Sequence, residues 1–325
     1  MITVWAPDGI GEVRRGDDLA DLLLPLVEPA DGDIVCVTSK AVSKAEGRVL
    51  AGDRAEAVLR ETVRLVARRG PLSIVVNRLG LTMAAAGVDA SNVERGHIVL
   101  LPEDPDASAR SLRAAIADRT GANVGVLVTD TAGRTWREGQ SDLAIGAAGT
   151  VVVDDHAGRS DAYGNELSVT APAVADELAG AAQLAAGKLG RRPFTVIRGR
   201  YDLVLPPGED GPGAAGLLRP PGADLFGLGA REAVLAALAA DPDQRFAFGS
   251  TCGIEELAGL LTPLLGRAAR VTVEDHAVVV TTTDPRARWV AEVAAFAHGW
   301  DSDGPSDPAD QWGVRLLPSP PPGPT

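Results

Sequence analysis

Residues 33–39, DIVCVTS, and the polar run KAVSKAEGR that carries the chain on to Arg48 decide the reading of the fold. A short, largely β-branched apolar run reads as a buried strand, and it breaks abruptly into serines and lysines. The same pattern recurs in LSIVV (72–76), GHIVLL (96–101) and NVGVLVTD (123–130). Between these runs, EAVLRETVRLVARR (56–69) and SARSLRAAIADRT (108–120) set apolar residues at helical spacing, so both are expected as helices. Strands that alternate with amphipathic helices define an α/β (mixed α+β) fold, with the strand order left open. A strand TVVVDD (150–155), a long helix AVADELAGAAQLAAGKL (173–189) and a strand FTVIRG (194–199) complete this unit.

Beyond it, LPPGEDGPGAAGLLRPPGAD (205–224) reads as an exposed loop or linker. The helix REAVLAALAAD, the segment GIEELAGLLTPLLG, the strand pair RVTVED and AVVVTTT, and the helix RARWVAEVAAFAHGW then outline a small α+β module. The expected division is a core over residues 1–229, a module over 230–317, and a Pro-rich tail, PSPPPGPT (318–325), that is expected to be disordered. The chain shows no internal repeat.

Composition narrows the function. At 325 residues and 45% apolar content the chain can bury a sizeable core. Two distant cysteines, Cys36 and Cys252, give neither a disulfide framework nor a zinc-ligand spacing. No secretory signal or membrane span is evident, so a cytoplasmic protein is expected. A net charge of -13 argues against nucleic acid as the main partner but not against a nucleotide, because a bound divalent metal reverses the local sign.

Three segments carry candidate chemistry. In VTSKAVSKAEGR (37–48), Ser39, Lys40, Ser43 and Lys44 offer hydroxyls and ammonium groups to an anion, with phosphate the natural guess. The pattern equally suits a Ser-capped, solvated helix start, and the Walker spacing is absent. In NRLGLTMAAAGVDASN (77–92), Asp89 suits a hard divalent cation and the Asn92 amide a nucleotide, although an Asx-turn would look the same. In VLVTDTAGRTWREGQSD (126–142), Asp130 and Thr131 fall where an apolar strand ends, the usual ligand position in α/β folds, and both offer oxygen to magnesium. A fourth, acid-rich segment (154–178) contains His156, which reads as a surface histidine.

Taken in order, GIGEVRRGDDL (9–19), DGDIVCVTSKAVSKAEGR (31–48), NRLGLTMAAAGVDASNV (77–93), TDTAGRTWREGQSDLAIGAAG (129–149) and AGRSDAYGNELSVTAPAVADELAGAAQLAAGK (157–188) resemble the coenzyme F420-0:L-glutamate ligases, in particular the N-terminal half of the fused actinobacterial members. LLRPPGADLFGLG extends the likeness to residue 229. The resemblance implies that GTP activates a carboxylate of F420-0 as an acyl phosphate, which the amine of L-glutamate attacks to build a γ-linked tail. It implies GTP contacts at Ile10, Gly11, Glu12, Val13, Ser39, Lys44 and Asn92, one divalent ion shared by Asp89 and Asp130, and a second at Thr131. Lys44 and Asp130 become the catalytic candidates; the ions would be Mg2+ or Mn2+, with K+ a further candidate. A homodimer is implied as well. Gly11 stands where the family commonly has proline, and His156 where it has tyrosine. The stretch after residue 240 is too short for the flavin-binding, nitroreductase-like domain of fused relatives, so no FMN is expected. Two other readings stay open: a non-catalytic nucleotide-binding protein of the same fold, and a ligase for another acid or amine.

Overall fold

The computed structural model describes residues 1–91, 93–220, 223–303 and 313–319. The chain divides into two compact units, Met1–Leu218 and Arg219–Thr325.

The first unit is built on a five-stranded sheet of order β1 (Thr3–Trp5), β10 (Phe194–Arg198), β2 (Ile34–Thr38), β8 (Gly125–Arg134) and β9 (Arg137–Ala148). Only β2 and β8 run parallel, from Ile34 opposite Gly125 to Thr38 opposite Thr129. Both are apolar on both faces, as a strand covered on both sides requires. Val35, Val37, Val126 and Val128 face a core closed by α1 (Leu19–Leu23), α2 (Ser39–Ala45) and α4 (Pro105–Thr120). Ile34, Cys36 and Leu127 face the opposite core, closed by α5 (Val174–Ala186). The result is a helix–sheet–helix sandwich, the mixed α/β architecture the strand and helix pattern predicts.

Helix α4 shows how local signals set an element. Asp104 caps its start by accepting from the Ala107 N–H (2.9 Å), Pro105 occupies the first turn, and Gly121 ends it with φ 76°. Its inward residues Ala109, Leu112 and Ile116 are fully or nearly fully buried. The helix lies so close to β9 that a Cβ at Gly146 would sit 2.4 Å from the Pro105 carbonyl oxygen. Gly146→Ala is therefore expected to destabilise the protein by roughly 1–3 kcal/mol through overpacking. Urea denaturation measures this, and an unchanged midpoint would show that the helix can move away at no cost.

Two expected elements differ. The run EAVLRETVRLVARR is not one helix: α3 (Arg54–Glu61) stops, and Thr62–Arg69 forms β4, paired with β5 (Leu72–Asn77), which pairs in turn with β6 (Thr82–Ala84). The β-branched Thr62 and Val63 disfavour continuing the helix, and pairing with the apolar β5 decides for strand. The run TVVVDD forms no ladder. Gly149, at φ 66°, turns the chain after β9, and Thr150 makes only an isolated bridge to Val204 while Val152 packs into the α5-side core.

The stretch expected as a linker is also more integrated than its composition suggests. Residues 205–218 belong to the first unit, where Asp106 on α4 accepts from the Ala214 N–H (2.7 Å) and Ala214 is buried. A small ladder of β3 (Val49–Ala51) and β7 (His97–Val99) completes the unit.

The second unit holds a four-stranded antiparallel sheet of order β11 (Arg270–Glu274), β12 (Ala277–Thr281), β14 (Gly313–Pro318) and β13 (Trp300–Ser302). Leu257, Leu261 and Leu265 of α7 (Ile254–Leu265) and Ala287, Ala291 and Ala295 of α8 (Pro285–Ala297) pack on it. The further helix α6 spans Ala230–Ala239. Pro318, placed in the tail by composition, ends β14 opposite Trp300, and Ser319 after it is buried against Arg245 and Asp301. Residues 320–325 lie outside the described residues. Among the described residues no helix is long and apolar enough to cross a membrane.

Candidate active site

Strand β2 ends at Thr38, opposite Thr129, whereas β8 runs on to Arg134 in a hairpin with β9, so Asp130 and Thr131 lie within a strand and not at its end as the sequence suggests. A cleft of about 1180 Å³ opens where β2 gives way to α2. That exceeds the roughly 300–1,000 Å³ of a site for one small ligand. Ile10, Gly11, Glu12, Val13, Ser39, Lys44, Asp89, Asp130 and Thr131, all singled out in the sequence, line it together. Asn92 lies outside the described residues. His156 is not among the lining residues; it stands 3.2 Å from Asp154 and 3.0 Å from Arg159.

The register explains the centre. Thr38 pairs with Thr129, so Ser39, the first residue of α2, meets Asp130 in β8, and Ser39 Oγ donates to Asp130 Oδ1 at 2.7 Å. Burial pushes the Asp130 carboxyl up to about 6; the Ser39 hydrogen bond opposes this and the neighbouring Asp142 carboxylate adds to it. Asp142 arrives on β9 directly opposite Thr131 and accepts from its Oγ1 at 2.6 Å. A register shift between Val128 and Thr129 inserts a bulge in this hairpin beside the site. The Thr131 hydroxyl also accepts from Lys188 Nζ at 2.7 Å.

Asp89 reaches the cleft from a different direction. Ala85, Ala86 and Gly87 run at φ 50°, 56° and 77°, a left-handed turn costly for the two alanines, and the Asp89 backbone then locks onto Val99 in both directions. A Cβ at Gly87 would meet Leu101 at 2.6 Å, so glycine is required there. The Asp89 carboxylate accepts from Lys40 Nζ (2.6 Å) and from Ser91. Burial works to raise Asp89, but these hydrogen bonds outweigh it and hold the group down at about 2.

The lysines of α2 are thus committed to different partners. Lys40, in addition to Asp89, donates to Ser91 O and Oγ, and its charge reaches Asp130 as well. Lys44 pairs with Glu12, tying α2 to the segment 10–13. The Ser43 hydroxyl is buried without a partner. Gly11 has open space where a Cβ would stand and no positive φ, so the local backbone tolerates the larger residue expected at that position. Cys36 lines the cleft too, but burial, with Asp142 adding to it, pushes its thiol up to about 12, which removes it as a nucleophile near neutral pH.

The donors suit a hard cation. Asp89, Asp130, Thr131 and Asp142 offer oxygen only; Asp142 is buried and Asp130 largely shielded from solvent, with little compensating charge. Among the described residues no group of three or more His, Cys, Asp or Glu is arranged to hold a metal. Oxygens of a bound substrate would therefore have to complete the coordination.

Three cleft residues escaped the sequence reading. Asp142 lies inside a quoted motif, but its role depends on hairpin register, which spacing does not reveal. Lys188 and Arg191 follow a long helix, where basic residues ordinarily serve only to end it.

A family model described as F420-0:Gamma-glutamyl ligase matches residues 9–199. A coenzyme F420:L-glutamate ligase of Methanopyrus kandleri is 39% identical over 240 residues, 66% of this chain and 93% of the relative. One from Archaeoglobus fulgidus is 40% identical over 219 residues, 61% and 88% of the two chains. One from Natronomonas pharaonis is 42% identical over 209 residues, 56% and 80%.

Proposed function

The chain belongs to the F420-0:gamma-glutamyl ligase family, and from that premise we propose that it joins L-glutamate to coenzyme F420-0 in coenzyme F420 biosynthesis, with GTP as phosphoryl donor. The observation that carries this reading is the convergence of Ser39, Lys44, Asp89, Asp130 and Thr131, from three separate segments, on one cleft where β2 ends beside β8.

A carboxylate does not react with an amine until one of its oxygens becomes a leaving group. Transfer of the γ-phosphoryl group of GTP to the F420-0 carboxylate meets that need and releases GDP. The glutamate amine then forms the C–N bond, phosphate departs with the C–O electron pair, and the amine gives up a proton. Segment 10–13 and Ser39 hold the nucleotide. Lys44, freed from Glu12, stabilises phosphate charge as a compact point cation. Asp89, Asp130 and Thr131 hold divalent cations, Mg2+ or Mn2+, whose charge offsets the crowding of phosphate and carboxylate. Asn92 is retained as a nucleotide contact on the strength of its motif alone. The enzyme is read as cytoplasmic and homodimeric, with K+ as a further candidate ion; no FMN, nucleic acid or membrane enters this reading.

Incubation with F420-0, L-glutamate, GTP and manganese or magnesium, followed by mass spectrometry of the coenzyme, tests the proposal. Glutamyl additions that require both GTP and metal are expected. Unmodified F420-0 in the presence of measurable GTP binding would overturn it in favour of another acceptor or a non-catalytic role.

A further inference from the structure

Six cations line the cleft, and their commitments differ. Lys40 is held by Asp89, Lys44 by Glu12 and Arg192 by Asp8, while Arg54 donates to the Val88 carbonyl. Among the described residues, Lys188 bonds only the neutral hydroxyl of Thr131, and Arg191 has no hydrogen-bond or ion-pair partner. Both stand on the loop between α5 and β10. That loop is anchored on either side of them. The Gly187 N–H donates to the Gln183 carbonyl (2.9 Å) and the Gly190 N–H to that of Gly187 (3.1 Å). Arg192 grips Asp8 through two hydrogen bonds (2.7 and 3.1 Å), and the Pro193 carbonyl accepts from the Thr38 N–H (2.9 Å). A Cβ at Gly190 would lie 2.2 Å from the Ala186 carbonyl oxygen, so the turn has little freedom. Within it Arg191 adopts φ 54°, a conformation that side-chain-bearing residues rarely take. The fold thus holds a guanidinium and an ammonium at the edge of the cleft and leaves both without a carboxylate.

We propose that Lys188 and Arg191 bind the two carboxylates of the incoming glutamate. This rests on the ligase reading, in which the amine reacts and both carboxylates stay ionised. A planar guanidinium suits bidentate capture of one, and a compact ammonium suits the other. The bond from Lys188 to Thr131 holds the ammonium against the residue that follows Asp130, whereas Arg191 lies farther along the loop. The pair therefore selects a diacid and turns its amine toward the activated carboxylate.

The test is steady-state kinetics of the full chain and of Arg191→Gln and Lys188→Met, two exposed positions whose replacement leaves the core untouched. Each variant is expected to raise the KM for glutamate by about 10- to 100-fold, the range of one charge-assisted hydrogen bond, with the KM values for GTP and F420-0 within about twofold of wild type. Preference for glutamate over glutamine should fall in parallel, and Arg191→Lys should recover part of the loss. Wild-type protein that adds no glutamate to F420-0 would remove the ligase reading and this proposal with it. A ligating wild type whose variants keep their glutamate KM, or instead raise the KM for GTP or F420-0, would overturn the proposal alone.

Discussion

Asp130→Asn is expected to lower metal-dependent turnover by more than about 100-fold, the upper end for groups that only support a metal ligand, and also to raise the stability of the metal-free protein above pH 6. The two effects share one cause. Asp130 is largely shielded from solvent, and this desolvation pushes its carboxyl from 3.8 up to about 6. Below pH 3.8 the group is protonated in both folded and unfolded chains and costs nothing. As pH rises through that window the unfolded chain ionises first, so the folded state loses stability, and the loss is complete above about 6. The gap corresponds to roughly 3 kcal/mol. Asparagine keeps the shape and can still accept from Ser39, yet carries no charge. In chelator-treated protein the variant's thermal midpoint should exceed that of wild type at pH 7.5, and the difference should vanish near pH 4. Equal midpoints at pH 7.5 would show that the buried charge is already compensated. Wild-type-like turnover at limiting metal would remove Asp130 from the site. A residue that destabilises its own fold while standing among cation donors marks where stability yields to function.

What could be read in advance followed from burial. Strand β2 and the part of β8 beside it, Gly125–Thr129, are apolar on both faces, and α4 carries a cap, a proline and a terminal glycine, so each announces itself locally. Ser39 and Asp130 are legible for the same reason, as polar residues that break a buried apolar run, although β8 continues through Asp130 to Arg134. Elements whose state depends on a distant partner are not legible. Arg64 and Leu65 could belong to a helix or a strand until β5 pairs with them. Strand β9 begins with the polar run REGQSD and ends in small residues, so it lacks the alternation of a typical sheet strand. Asp142 acquires its meaning only when the hairpin register places it against Thr131. Lys188 and Arg191 stand out only once the partners of the other cleft cations are known.

The loop after Leu205 shows the same dependence at its strongest, and Arg113→Ala should expose it by destabilising the first unit by roughly 3–5 kcal/mol. Arg113 falls on the inward face of α4, at helical spacing from Ala109 and Ile116, where an apolar residue is expected, and it is 6% exposed. Its guanidinium donates to the carbonyls of Val124 (2.9 Å), Glu209 (2.8 Å) and Pro206 (3.1 Å), to the Asn123 side chain (2.9 Å), and to Asp210 (2.7 Å). One side chain thus fixes the end of α4, the start of β8 and a Gly/Pro-rich segment distant in sequence. Truncation strands the buried Val124 carbonyl and releases the Glu209 and Pro206 carbonyls and the Asp210 carboxylate, which only Arg113 gathers at this point, and it opens a cavity in the buried face of α4. Gly149 belongs to the same device, because a Cβ there would fall 2.1 Å from the Arg113 Nε. In Arg113→Ala the urea midpoint should drop sharply, and limited proteolysis should cut first within 205–213. Arg113→Lys should rescue little, because an ammonium cannot reproduce the fork that serves so many acceptors. If lysine restored the wild-type midpoint, charge alone would account for the site, and the loop would owe its order to its own prolines.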